Sequence, residues 1–290
     1  MRFLQQEPGL DPRFNDACVL VLKVTNRCNL SCSYCYDNIE NGSVDMPLSL
    51  YKRIISTYVR STSRRWIAVL LHGGEPTLMP LSWLKRAVIH ALEQAERHAK
   101  KLTITVQSNF VALDKGHMEL ALKYGLEMGA SLDGPPALHC TLRGKAERAV
   151  ANFKRMKLAG ITPSVLMTIN NENQRHFRQV IDWVKGDLGV DSFKANVVYP
   201  VGRASRLSTL TAQGIFTAHK DILLHMIRTC GKAVIEHNLA EEIVRFFAGQ
   251  EGAAFSAQIP TSAATLRRRK GGHLCRPRWE GPAVWAVTVG

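Results

Sequence analysis

Short runs of apolar and β-branched residues recur along the chain and predict six buried strands. One run, CVLVLKVT, occupies residues 18–25, and the others lie at about 66–71, 102–108, 126–132, 162–169 and 191–198. Runs of this length and composition are typical of buried strands.

The segments between these runs carry apolar residues at helical spacing. Two stripes stand out: Leu81, Leu84, Val88, Leu92 and Ala95 in one, and Phe177, Val180, Ile181 and Val184 in the other. Alternating strands and helices predict an α/β fold of successive β-α units. Six units predict a partial (β/α)6 TIM-like barrel, and its open side would admit a large substrate such as a peptide. Helices at about 208–231 and 239–249 would form a short, mostly helical C-terminal extension.

Composition favours a soluble cytoplasmic enzyme. Hydrophobic residues fill 46% of 290 positions, and no apolar run is long enough to cross a membrane. The net charge of +14 could attract an acidic peptide or RNA, or it could reflect solvated helix faces. Only residues 266–270, LRRRK, form a dense basic cluster, and no RNA-binding motif accompanies it. Nucleic acid is therefore disfavoured as a partner.

Three of the seven cysteines stand directly after the first predicted strand. Cys28, Cys32 and Cys35 form a C-x3-C-x2-C array. Three thiolates can bind three irons of a [4Fe-4S] cluster and leave the fourth iron open to a small molecule. No fourth cysteine or histidine is evident at a matching distance, although zinc and unrelated thiols remain as alternatives. The odd cysteine count and the lack of a signal-peptide pattern disfavour a disulfide framework.

A second motif, HGGEP, follows the second predicted strand at residues 72–76. Adjacent glycines allow a backbone to approach a ligand closely, and a carboxylate beside them can accept hydrogen bonds from an ammonium group. A simple turn before the next helix is the alternative interpretation. Both motifs are expected on loops at the carboxyl ends of parallel strands, where α/β barrels place their active sites.

The two motifs together resemble those of radical SAM enzymes, from about Val19 to Arg203. The resemblance implies a [4Fe-4S] cluster held by the three cysteines, whose free iron chelates the amino and carboxylate groups of S-adenosylmethionine (SAM). It also implies that Gly73, Gly74 and Glu75 face the methionine amino group. Tyr34, the aromatic residue inside the cysteine array, would lie against the adenine.

Two further segments resemble parts of the same family. The resemblance of LTITVQSN to its QTN segment implies that Ser108 and Asn109 contact the SAM ribose, while a strand-end turn is the alternative. In this segment a serine replaces the threonine, and Phe110 stands where glycine is common. The stretch GASLDGPPALHCTLRG implies that Ser131 and Arg143 hold the SAM carboxylate, with Cys140 in place of a usual aspartate. Asp133 is a candidate general base by charge and position, or a turn residue before a glycine.

The segment from Tyr199 to Ala204 resembles the P-x-GRA segment of the SPASM group, whose members carry auxiliary clusters in a C-terminal domain. Cys275 and the spacing up to Gly290 resemble the opening of the SPASM motif, and the chain is interpreted as a truncated relative. The expected parts are an N-terminal extension (1–17), a barrel (18–205), a helical linker (206–270) and an incomplete SPASM-like segment (271–290). Cys275 is either an auxiliary-cluster ligand or a buried thiol, and burial is expected for Cys18, Cys140 and Cys230.

The resemblance implies an enzyme that cleaves SAM to a 5'-deoxyadenosyl radical and cross-links or oxidises a residue of a ribosomally made peptide. Its partners would be a precursor peptide and a reductant such as flavodoxin or ferredoxin. Three alternatives remain: an anaerobic sulfatase-maturing enzyme that generates formylglycine, a catalytically incomplete SAM-binding fragment, and a tRNA-modifying enzyme supported by the basic charge alone.

Overall fold

Eight parallel strands form one sheet in the computed structural model, which describes residues 11–36, 43–206, 210–251 and 283–288. The six predicted strands are present within two residues of their expected bounds. The strands are β1 (Ala17–Thr25), β2 (Trp66–Gly73), β3 (Lys101–Ser108), β4 (Glu127–Ser131), β5 (Ser164–Ile169), β6 (Ser192–Val197), β7 (Ile235–Glu236) and β8 (Ala283–Thr288).

Strands β1 to β7 each lie beside their neighbours in the chain, in the order β7-β6-β5-β4-β3-β2-β1-β8. This sequential order is typical of a β/α barrel, because doubly wound sheets reverse direction at a switch point. The edges formed by β7 and β8 are not paired with each other. The predicted α/β fold with a partial, open barrel is therefore confirmed.

Helices connect most of the strands, and one of the two predicted stripes is fully buried. The helices are α1 (Leu48–Ser61), α2 (Leu81–Arg97), α3 (Lys115–Tyr124), α4 (Pro136–Leu142), α5 (Ala146–Leu158), α6 (Phe177–Gly186), α7 (Ala212–Arg228) and α8 (His237–Glu251). All four stripe residues of α6 are buried. In α2, Leu84, Val88 and Ala95 are buried and Leu92 is half-buried, whereas Leu81 is 38% exposed because it stands at the first turn. In the described part of the chain, no helix combines the length and apolarity needed to cross a membrane.

Helices pack on one face of the sheet, whereas the other face is less buried. Successive strand residues point to opposite faces, and on one face they are buried together with the helices in a single core. The other face carries half-buried polar side chains near the carboxyl ends of β1 to β5. These residues, which we call the open face, are Lys23, His72, Gln107, Ser131 and Thr168.

Two strands lie outside the predicted set, and both extend the barrel sheet. Strand β7 has only two residues, and it precedes α8 in the expected helical extension. Strand β8 pairs in parallel with β1 from Ala17 to Lys23. It falls in the segment that the sequence predicts to begin a SPASM-like domain, while Cys275 lies outside the described residues.

Candidate active site

The three motif cysteines lie on the loop after β1, and all three are half-buried and free of disulfides. Burial raises the pKa of Cys28, and it raises the pKa of Cys32 to about 11 although Arg143 opposes that change. Thiols with such pKa values are protonated at neutral pH, so binding a metal would displace their protons. The array therefore offers three sulfur donors from one short loop.

Residues after β4 hold this loop from one side. The Ser33 amide donates to the Leu142 carbonyl at the end of α4, over 3.0 Å. Lys145 Nζ donates to the Asn29 carbonyl over 3.3 Å. The position of the cysteine loop is thus tied to the end of α4 and the start of α5.

A second support comes from the segment after β6. The Arg203 amide donates to the Cys35 carbonyl over 2.9 Å, and Arg203 Nη1 donates to the Cys32 carbonyl over 3.2 Å. Gly202 adopts a φ of +59°, and a Cβ there would lie 2.5 Å from the Tyr36 carbonyl oxygen. The close approach requires glycine, and it places Arg203 against the main chain of two cysteines.

The glycine pair after β2 packs directly on the residues that lead into the cysteine loop. A Cβ at Gly73 would lie 2.1 Å from the Thr25 carbonyl oxygen, and one at Gly74 would lie 2.3 Å from that of Arg27. The Gly74 and Glu75 amides donate to these same two carbonyls over 2.8 and 2.7 Å. Both glycines are therefore needed for the contact between the two motif loops.

The Glu75 side chain points into the protein. It is 1% exposed, and its Oε1 accepts from the Thr77 amide at 3.0 Å and from Thr77 Oγ1 at 2.6 Å. Its Oε2 accepts from the Asn109 amide at 2.7 Å. Burial raises the pKa of this carboxyl, although the same hydrogen bonds oppose the rise. Glu75 thus joins the ends of β2 and β3.

Ser108 and Asn109 form a tight turn at the end of β3, which is the alternative that the sequence left open. Ser108 Oγ accepts from the Phe110 amide and Asn109 Oδ1 from the Val111 amide, each over 2.9 Å. Asn109 Nδ2 also donates to Asn29 Oδ1 over 2.7 Å and lies 3.8 Å from Cys28 Sγ. Phe110 has a φ of 63°, a conformation that explains why glycine is common at this position.

Ser131 lies on the open face beside a residue that the sequence analysis did not single out. Gln107 Nε2 donates to Ser131 Oγ over 2.9 Å. Gly129 leaves space for this glutamine, because a Cβ there would lie 2.2 Å from Gln107 Oε1. The strand register, in which Gln107 pairs with Gly129, brings the amide to the serine.

Asp133 joins three parts of the site. Its Oδ2 accepts from Tyr34 Oη and from Arg143 Nε, the latter over 2.7 Å, and its Oδ1 accepts from the Thr168 amide over 2.8 Å. The Arg143 guanidinium carbon lies 5.2 Å from the centre of the Tyr34 ring. Burial alone would lower the pKa of Arg143, but the negative charge of Asp133 raises it above its ordinary value.

Sequence reasoning missed several residues that support the site. Arg203 and His139 were noted only within family-like segments, and Gln107, Thr168 and Asn173 were given no role. All but His139 act through contacts between segments distant in the chain, which no local pattern reveals. The strand register is the signal that could have found Gln107, once β3 and β4 were assigned as neighbours.

Three further cysteines among the described residues, Cys18, Cys140 and Cys230, lie outside the cysteine loop. Cys140 and Cys230 are exposed, so the expected burial of these two thiols was wrong, and Cys18 is half-buried. Cys140 lies on the outer side of the short helix α4, and Cys230 lies in the turn after α7.

The donor set fits a [4Fe-4S] cluster better than a single metal ion. Among the described residues, no three histidine, cysteine, aspartate or glutamate side chains are grouped closely enough to share one ion. A four-iron cluster is larger than an ion, so its cysteine ligands lie farther apart. Three thiols on one supported loop leave one iron open, as a cluster that binds a small molecule requires.

Comparisons with known proteins agree with this chemistry. The serine-type anaerobic sulfatase-maturating enzyme of Bacteroides thetaiotaomicron is 28% identical over 172 residues, which are 54% of this chain and 41% of that protein. The sporulation killing factor maturation protein SkfB of Bacillus subtilis is 28% identical over 202 residues, or 68% and 46%. The chain thus spans less than half the length of these curated relatives.

A solved structure described as native anSMEcpe with bound AdoMet and Cp18Cys peptide shares the fold. Its TM-score is 0.61 at 18% identity, over 75% of this chain and 62% of that one. The model of the radical SAM superfamily matches residues 22–184, which is more than half of the sequence. Members of that superfamily use a [4Fe-4S] cluster and SAM. The cysteine array, the glycine turn and the β1–β6 barrel all lie within or beside the matched region, and the chain belongs to the radical SAM superfamily.

Proposed function

We propose that this chain is the catalytic barrel of a radical SAM peptide maturase. The observation that carries the proposal is the junction of the cysteine loop with the Gly73–Gly74 turn, with Tyr34, Asp133 and Arg143 beside it. When bound, a reduced cluster would supply the electron that cleaves SAM to a 5'-deoxyadenosyl radical, which abstracts hydrogen from the substrate.

Each motif residue receives a role in holding the cofactors. Cys28, Cys32 and Cys35 would bind the cluster. The methionine amino group would face the main chain at Gly73 and Gly74, because both oxygens of Glu75 are engaged inside the protein. The remaining SAM contacts would come from Arg143 and Ser131 at the carboxylate, Tyr34 at the adenine, and Ser108 and Asn109 at the ribose.

The substrate would be a peptide that enters along the open face. That face is polar and only half-buried, so it can supply hydrogen bonds to a main chain laid across it. The names of both curated relatives describe maturation of another gene product, and the solved neighbour holds a peptide. An external reductant such as flavodoxin or ferredoxin, in the cytoplasm, would deliver the electron.

One other function has specific support, and a second remains to be tested beside it. The sulfatase-maturating relative favours formylglycine formation on a sulfatase. The second is a barrel that binds SAM without modifying a peptide. These functions differ in product, so they can be separated by experiment.

Anaerobic reconstitution with iron and sulfide tests the proposal. We expect about four irons per chain and release of 5'-deoxyadenosine from SAM under dithionite. A Cys28, Cys32, Cys35→Ala triple variant should lose both. The matched control replaces Cys18, Cys140 and Cys230 with alanine and should keep both, because these thiols lie outside the C-x3-C-x2-C array. Wild-type protein that binds no iron would refute the enzyme assignment.

Mass spectrometry of candidate peptides separates the functions. A cross-link or oxidation on a precursor peptide encoded near the gene supports a peptide maturase. Formylglycine on a sulfatase-derived peptide supports the sulfatase-maturing function. Release of 5'-deoxyadenosine with every peptide unchanged supports the SAM-binding fragment.

A further inference from the structure

We propose that Asp133 is a positioning residue that holds the Arg143 guanidinium in place to bind the carboxylate of SAM. The inference rests on the proposed function, because it takes Arg143 as the carboxylate ligand. It assigns to Asp133 a role other than the general base that its position in the sequence first indicated.

Asp133 is poorly placed to act as a base. Its side chain is 1% exposed, and its two oxygens accept three hydrogen bonds, from Tyr34 Oη, Arg143 Nε and the Thr168 amide. Burial keeps a substrate proton away from the carboxylate, and most of its acceptor sites are already used. The buried carboxylate is instead satisfied inside the protein, as buried charges require.

The main chain of Asp133 is fixed as well. Its amide donates to His139 Nδ1 over 3.2 Å, and its carbonyl accepts from Asn173 Nδ2 over 3.0 Å. The residue is therefore attached to α4 and to the loops after β1 and β5 at once. A carboxylate held in this way presents one fixed orientation to Arg143.

Arg143 is bound by only part of its donor set. Nε donates to Asp133, and within the described residues neither terminal nitrogen, Nη1 or Nη2, has a hydrogen-bond partner. The side chain is 12% exposed, and its guanidinium lies over the Tyr34 ring at 5.2 Å. Two terminal nitrogens can bind a carboxylate in a bidentate manner, which is the function that the geometry leaves to them.

Asp133 has two opposing effects on the binding of a carboxylate by Arg143. The sign of the change in SAM affinity on replacing Asp133 distinguishes them. Its negative charge offsets that of Arg143, so removing the charge would strengthen attraction for a ligand carboxylate. Its hydrogen bond fixes the guanidinium, so removing the bond would weaken the same interaction. The direction of the change therefore tells whether Asp133 positions Arg143 or only neutralises it.

The test measures binding of two ligands to the reconstituted protein under anaerobic conditions. One is SAM, and the other is decarboxylated SAM, which lacks the carboxylate but keeps the adenine, ribose and amine. For Asp133→Asn we expect SAM affinity to fall about tenfold, the range of a lost charge-assisted hydrogen bond, with decarboxylated SAM changed less than about twofold. Asp221→Asn is the matched control, since Asp221 pairs with Arg178 away from the site.

A second variant keeps the proposal testable if Asp133→Asn folds poorly. Arg143→Lys retains the charge but lacks the planar guanidinium, so it cannot bind a carboxylate through two terminal nitrogens while a third nitrogen binds Asp133. In this variant the preference for SAM over decarboxylated SAM should fall by a factor similar to that expected for Asp133→Asn. In the double variant, the two losses should not multiply, because both act through one contact.

Three results would overturn the inference. Equal loss of both ligands in Asp133→Asn would indicate general damage to the site, and tighter SAM binding would indicate neutralisation alone. Losses that multiply in the double variant would show that the two residues act independently. A wild-type protein that binds SAM no better than its decarboxylated form would instead refute the assignment of Arg143 and, with it, the proposed function of this site.

Discussion

At the scale of single residues, the site depends on main-chain contacts that few side chains permit. Gly73 and Gly74 each bring the loop after β2 within reach of carbonyl oxygens after β1. Phe110 holds a left-handed conformation although it is buried and bulky. Such positions cost conformational energy of about 1 kcal/mol or more, which the surrounding contacts must offset.

Gly74→Ala should separate the two motif loops. The new methyl group would meet the Arg27 carbonyl at 2.3 Å, so we expect a loss of about 1–3 kcal/mol in unfolding free energy and fewer irons bound per chain. Thermal unfolding and iron analysis measure the two effects. Gly186→Ala is the control, because no atom lies within 4 Å of its added Cβ. Normal stability and full iron content in Gly74→Ala would contradict the contact.

Stability at acid pH should depend on His139, whose burial lowers its pKa to about 4 from about 6.5 in the unfolded chain. Between these values the unfolded state binds more protons, so stability falls as the pH decreases. Over this range the unfolding free energy falls by about 1.4 kcal/mol per pH unit as the pH decreases, and His139 causes no further loss below about pH 4.

Urea unfolding at several pH values measures this slope in the wild type and in His139→Asn. The asparagine can still accept from the Asp133 amide but does not titrate in this range. We expect a shallower loss of stability in the variant. Replacement of His176, an exposed histidine, should leave the slope as it is in the wild type. Identical slopes in wild type and His139→Asn would exclude His139 as the source.

The sequence predicted the motif residues but not what holds them. Cysteine spacing and adjacent glycines are local signals, so they can be read directly. Tyr34 and Asp133 are separated by 99 positions, and they meet only because the loops after β1 and β4 leave the same edge of the sheet. The role of Asp133 therefore required the fold, and so did the inward direction of Glu75.

At the scale of elements, the cysteine loop is supported by segments that follow β4 and β6. The sequence predicted the first six strands because their runs are long and apolar. It missed β7 because two residues carry no pattern, and it missed β8 as a partner of β1 because strand pairing is a tertiary property.

Removal of the Arg203 side chain should speed the loss of iron from the cluster. Arg203→Met keeps the main-chain bond to Cys35 but loses the Nη1 bond to the Cys32 carbonyl. We expect iron to be lost to a chelator about two- to tenfold faster, the range of one lost hydrogen bond. Loss of absorbance near 400 nm follows the release. Arg178→Met, which removes an exposed ion pair, serves as the control, and equal rates in both variants would contradict a support by Arg203.

At the scale of the whole molecule, one continuous sheet includes both the matched barrel and a strand close to the last residue of the sequence. Strand β8 covers the edge of β1, which also carries the cysteine loop. An uncovered edge would present unpaired amide and carbonyl groups. The sequence alone assigned this segment to a different domain, since resemblance of a short motif gives no information on pairing.

Deletion of residues 283–290 should therefore lower the local stability of β1. We expect amides of β1 that pair with β8 to exchange with solvent at least about tenfold faster, while those paired with β2 keep most of their protection. Hydrogen exchange followed by mass spectrometry measures the difference. Unchanged exchange in β1 would show that β8 contributes no protection in solution.

The open face has a consequence for unfolding thermodynamics. Its side chains already contact water in the folded chain, so unfolding uncovers less new surface there than in a closed barrel of equal length. We therefore expect a smaller denaturant dependence and a smaller heat-capacity change per residue than a closed barrel shows. A molecule that covers this face on binding would add a negative heat-capacity change in proportion to the apolar area it buries.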